Sequence, residues 1–206
     1  MRRPLGAAAV LVLAVVLACC SQYSSPPRKS DPAEPVPGIA ATARHPLPAN
    51  AVVCAGPAAG AGHPVTAAVS DPAAPRATIA VPDGWSASAG TGDTALVLSG
   101  PDGMMAKVTI ASTDLAPDTA FLRYIASEPL PRREFAVTGA LLCGYSGQLL
   151  TGTLQSPAGD IDFADRIVHL WTNSKQYLVA IHVTGRSAGF AAAKAALTQD
   201  FAVVIP

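Results

Sequence analysis

The sequence predicts an α+β domain built on an antiparallel β-sheet flanked by helices. Three observations predict it. Short apolar runs with period-two alternation recur from about residue 77 to the C-terminus, separated by Gly, Pro, Asn and Asp. Two helical patterns stand well apart from each other, with strands between and after them. Strands that follow one another through tight turns, rather than alternating with helices, favour an antiparallel sheet.

In chain order, Ala77–Val81 alternates and meets the turn Pro82-Asp-Gly-Trp85, so it reads as a strand. Thr94–Leu98 stops at Ser-Gly-Pro-Asp-Gly, and Ala106–Ala111 resumes the pattern, which together predict a hairpin. Asp118–Ala126 opens on an acidic residue and carries Phe121, Leu122 and Ile125 on one face, the signature of a short helix. Glu128-Pro-Leu-Pro ends it. Strands are then expected at 148–154, 163–171 and 177–183. A last helix is expected from Gly189 to Thr198, with Ser187 as its cap and Phe190, Ala193 and Leu197 on its buried face. Phe201–Ile205 closes the chain in extended form, and no internal repeat is visible.

Ahead of this domain lie two segments of different character. Residues 1–18 combine the basic start Met-Arg-Arg with the apolar run Ala7–Ala18, which reads as an export signal too short to span a bilayer comfortably. The run ends in the doublet Cys19-Cys20, where a lipoprotein signal would be cut and a thiol acylated with diacylglycerol, palmitate being a typical added chain. Ala18 precedes Cys19 as the small residue such cleavage requires, so Cys19 is the expected lipidation site, with Cys20 the alternative. Residues 19–50 are rich in Pro, Ser and Ala, bury little, and read as a semi-extended tether, with Ser24, Ser25 and Thr42 as candidate glycosylation positions. The domain is assigned to residues 51–206, long enough for one core. The expected location is the extracytoplasmic face of the cell membrane.

The chemistry-bearing residues suggest no reaction. Fourteen basic residues balance fourteen acidic ones, and removing Arg2 and Arg3 with the leader lowers the basic count by two. No basic block marks a nucleic-acid partner. Gly144-Tyr-Ser146 is followed directly by Gly147, so the second glycine of a G-x-S-x-G hydrolase elbow is out of place, and a turn between strands is expected. His45 and His63 precede prolines, whereas His169 and His182 fall within strands. Were those strands to pair, both rings would share a face, but no third ligand is placed for zinc, and no metal or cofactor is expected. Asp160, Asp162 and Asp165 read as a solvated acidic turn, and Gly90-Thr-Gly-Asp93 lacks the lysine of a phosphate loop. In an oxidising compartment the remaining thiols, Cys54 and Cys143, are expected to form a disulfide.

Val81-Pro-Asp-Gly-Trp85, the run Lys175-Gln-Tyr-Leu-Val-Ala-Ile181 before the final helix, and the lipobox with its Pro-rich tether resemble the LpqN/LpqT-type lipoproteins of mycobacteria. The resemblance covers roughly residues 76–206; the part around Cys54 has no counterpart in it. It implies a PsbP/Mog1-like sandwich and a non-catalytic binding or adaptor domain displayed at the envelope. An envelope protein or glycolipid would be its partner. Two further classes remain beside it: a carrier of an apolar ligand, which requires a hollow between sheet and helix, and a serine hydrolase acting through Ser146.

Overall fold

A computed structural model describes residues 36–41, 44–56 and 62–206. Residues 1–18, expected to form an export signal, and Cys19, Cys20, Ser24, Ser25 and Thr42 lie outside the described residues.

The elements run β1 (Ala51–Cys54), β2 (His63–Ala67), β3 (Arg76–Val81), β4 (Ser86–Ala89), β5 (Thr94–Ser99), β6 (Met105–Ser112), α1 (Pro117–Ala126), β7 (Arg132–Gly139), β8 (Ser146–Ser156), β9 (Gly159–Trp171), β10 (Gln176–Gly185), α2 (Phe190–Leu197) and β11 (Ala202–Ile205). They build two sheets. One has four strands in the order β1-β11-β3-β2, the other seven in the order β4-β5-β6-β10-β9-β8-β7. Every pairing is antiparallel. The α+β expectation holds, with one addition: a second sheet covers part of what helices alone were expected to cover.

Alternation along β9 and β10 sorts the central residues onto two faces. Ala164, Val168 and Leu170 of β9, with Tyr177, Val179, Ile181 and Val183 of β10, belong to the larger core. That core also takes Ile79 and Val81 of β3, Val203 and Ile205 of β11, and Phe190, Ala193 and Leu197 of α2. The opposite face carries Phe163 and Ile167 of β9 and Ala180 of β10, which pack with Leu150, Leu154 and Phe121 of α1.

Local chemistry explains the element ends. Pro117 opens α1 because its missing N–H costs nothing in the first turn, and its fixed φ suits a helix. The helix α2 starts from Gly189 without a side-chain cap. Ser187 therefore does not cap it: its carbonyl accepts the Phe190 N–H at 3.0 Å, while its hydroxyl is buried without a hydrogen-bond partner. The turn Pro82–Trp85 is closed by the Trp85 N–H on the Pro82 carbonyl and delivers Trp85 into the larger core. There the indole lies so close to Gly100 that a Cβ at that position would sit 2.4 Å from the ring.

The compact unit of the described chain begins at Val36, ahead of the boundary at residue 51. Pro37 O accepts from Gln148 Nε2 at 2.8 Å, Gly38 O accepts from the Gly147 N–H at 2.9 Å, and Asn173 exchanges two hydrogen bonds with the Leu47 backbone. The second half of the segment assigned to the tether is thus laid along the sheet.

Candidate functional site

Between α1 and strands β6 and β10, the helix-bearing face of the large sheet is only partly covered. Two neighbouring cavities result. A wider one of about 490 Å³ is lined by Ala111, Asp114, Arg123, Tyr124, Ser127 and Leu178 among others. A narrower one of about 220 Å³ is lined by Lys107, Tyr124, Glu128, Arg132, Asp165 and His182 among others. Tyr124 and Ser127 line both, so the two form one groove along the helix.

The strand register assembles the inner end of this groove. His182 pairs across the ladder with Asp165 of β9 on one side and with Lys107 of β6 on the other. Directly opposed residues of an antiparallel pair point to the same face. His182 Nδ1 lies 2.5 Å from Asp165 Oδ1. An ionised carboxylate only accepts, so Nδ1–H donates and the opposite nitrogen, Nε2, is the one left for a ligand. The Tyr124 phenol, sent down from α1, faces the same carboxylate in the cavity. Burial, reinforced by the Asp165 charge, pushes that phenol above its ordinary range. Asp165 is 4% exposed, and the His182 ring supplies the hydrogen bond that its buried carboxyl group requires.

Asp165 is therefore not part of a solvated acidic turn. Asp160 and Asp162, earlier in the same strand, fit that description better: Asp160 pairs with the exposed Arg133, and Asp162 accepts from Thr153 Oγ1.

Arg132 completes the inner end. Its Nη2 donates to Ile125 O at the end of α1, its guanidinium lies 5.3 Å from the Phe135 ring centroid, and its Nε is buried without a hydrogen-bond partner. Phe135 in turn stacks on Phe163, and Phe163 on the His182 ring, both at 6.3 Å.

His169 shares a face with His182 as the pairing of β9 with β10 requires, yet the rings are not brought together. His169 stands opposite Leu178, four positions from the His182–Asp165 pair, or about 13 Å along the strands. Its Nε2–H donates to Leu115 O at 3.0 Å, and burial lowers its pKa. Among the described residues, no group of three or more His, Cys, Asp and Glu side chains is placed to hold a metal ion.

Ser146 lies directly opposite His169, a proximity that sequence spacing did not reveal. The segment after Ser146 is strand β8, not a helix, and Leu142 and Tyr145 close a turn by mutual backbone bonds. Ser146 is buried, and its Oγ accepts the Ala40 N–H at 2.9 Å.

Cys54 and Cys143 are joined in a disulfide, as expected. The bond ties β1 to the turn preceding β8, and so one sheet to the other. Arg166 steadies the same turn from below. It is almost fully buried and donates to the Ala140 and Leu141 carbonyls and to Asp200 Oδ1. Among the described residues, no helix is long and apolar enough to cross a membrane.

No family model and no curated protein matches the chain. Among solved structures the fold is similar to that of LpqN, described as involved in cell envelope biogenesis of Mycobacterium tuberculosis. The TM-score is 0.52 at 14% sequence identity, over 69% of this chain and 91% of that one. At this identity the likeness concerns the fold, and it agrees with the resemblance carried by the sequence motifs.

Proposed function

We propose that the chain is a lipid-anchored protein of the cell envelope, held by an acylated Cys19 (or Cys20). Its domain binds an envelope partner, protein or glycolipid, through the groove between α1 and β6–β10, without catalysing a reaction. The groove is the observation that carries this reading. It gathers polar and charged side chains onto an otherwise packed sheet, in a fold shared with a protein of cell envelope biogenesis.

The carrier reading requires a hollow between sheet and helix. Phe121, Leu150 and Ile167 fill that space and have no exposed surface, which favours surface binding over enclosure of an acyl chain. The hydrolase reading requires an accessible serine, and Ser146 is 5% exposed.

Detergent phase partitioning tests the anchor. The native chain should enter the detergent phase, Cys19→Ser should release it, and Cys20→Ser should not. Release by neither change would end the lipid-anchor reading. Native mass spectrometry tests the binding mode, since a carrier retains cellular lipid through purification and a surface binder does not.

A further inference from the structure

We propose that the inner end of the groove is a binding site for a phosphate monoester, with Lys107, Arg132 and His182 as its donors. The proposal rests on the reading of the groove as a binding surface and names the chemistry it recognises.

Three nitrogen groups from three different elements line one cavity of about 220 Å³. Lys107 comes from β6, His182 from β10, and Arg132 from the start of β7. Neither Lys107 nor Arg132 has an ion-pair partner among the described residues. The Arg132 Nε is buried without a hydrogen-bond acceptor, an unsatisfied donor on a side chain that lines the cavity. The bond to Ile125 O and the stacking on Phe135 hold this side chain in place before any ligand binds.

Two carboxylates face the same cavity, and both already accept a hydrogen bond from the protein. Asp165 Oδ1 accepts from His182 Nδ1. Glu128 Oε1 accepts the Leu130 N–H at 3.1 Å, turned toward its own loop.

A phosphate monoester suits this arrangement better than a carboxylate. It presents three peripheral oxygens to donors supplied by three different strands, and charge-assisted bonds of this kind are the strong ones. Asp165 has a second role here. Anchored on Nδ1, it fixes the ring so that Nε2 is the nitrogen left to hydrogen-bond the phosphate, whether through P–O− or P–OH. Binding involves no covalent step.

The test uses the full-length chain in non-ionic detergent. Calorimetric titration with inorganic phosphate measures the site directly, and micelles doped with phosphatidic acid, against phosphatidylcholine as control, report a lipid-borne phosphate. Saturable binding in either arm is expected, and which arm binds tells the source of the phosphate. Lys107→Gln and His182→Gln should each weaken it about tenfold, the contribution of one charge-assisted hydrogen bond, whereas Lys194→Gln on α2 should leave it unchanged. Lys107 is an exposed side chain, so its variant keeps the test valid if the His182 change unfolds the protein. Absence of saturable binding in both arms, or equal affinity in wild type and the Lys107 variant, overturns the proposal. A negative result would leave the detergent-partitioning result standing, and a soluble chain that bound phosphate would refute only the anchor.

Discussion

Asp165 and His182 face each other across the β9–β10 ladder, and the imidazole donates to a carboxylate that has almost no contact with water. Replacing the ring by alanine removes the side-chain hydrogen bond that this buried carboxyl group accepts. His182→Ala is expected to lower stability by about 1–3 kcal/mol, the cost of a buried acceptor losing a partner. Urea denaturation measures it, and an unchanged midpoint would show that water replaces the ring without loss.

Asp71 sets the acid limit at the opposite side of the sheet. Lys175, the Ala73 N–H and Tyr177 all donate to it, holding its pKa down to about 2. The Tyr177 phenol, desolvated and facing that carboxylate, is pushed up to about 12. A carboxyl whose folded pKa is depressed stabilises the fold above its unfolded value near 4 and stops doing so as pH falls through about 2. Asp71→Asn should therefore unfold at lower urea than wild type at neutral pH, with the gap closing as the medium is acidified across that window. A gap that stays constant down to about pH 2 would contradict this.

The disulfide closes a separation of 89 residues. On the chain-entropy account this restricts the unfolded chain by about 4–5 kcal/mol before any native strain. The double variant Cys54→Ala/Cys143→Ala is expected to lose about 2–5 kcal/mol while keeping its far-ultraviolet circular dichroism. Equal urea midpoints for the two proteins would dispose of it.

Gly100 is held by contact. Its would-be Cβ meets the Trp85 indole, a rigid ring with no flexible end to give way. Gly100→Ala should cost about 1–3 kcal/mol through overpacking and shift the Trp85 fluorescence. A variant as stable as wild type, with unchanged emission, would mean the ring has room to move.

What was legible in the sequence follows the sheet order closely. The seven interior strands, β3, β5, β6, β8, β9, β10 and β11, announce themselves by apolar alternation. The four strands without such a signal, β1, β2, β4 and β7, are the four edges of the two sheets. Edge strands bury one side poorly and are blunted by charge, Pro or small residues. His-Pro-Val-Thr-Ala, Ser-Ala-Ser-Ala and Arg-Arg-Glu-Phe-Ala-Val-Thr-Gly have that character, and β7 also carries a register shift around Glu134. The groove was legible only in part. His182 stood out as a strand histidine, but its partners depend on register, which places Asp165 and Lys107 beside it from 17 and 75 positions away.

One consequence of the Cys54–Cys143 bond is mechanical. Any pull delivered through the N-terminal segment first loads residues 36–50 and then β1, a four-residue strand whose hydrogen-bonded neighbour is β11 alone. Such a strand unzips readily under tension. The covalent link diverts the load at Cys54 into the turn before β8, a long strand seated between two neighbours in the larger sheet. Force that would peel the small sheet strand by strand is instead passed at Cys54 into the larger sheet.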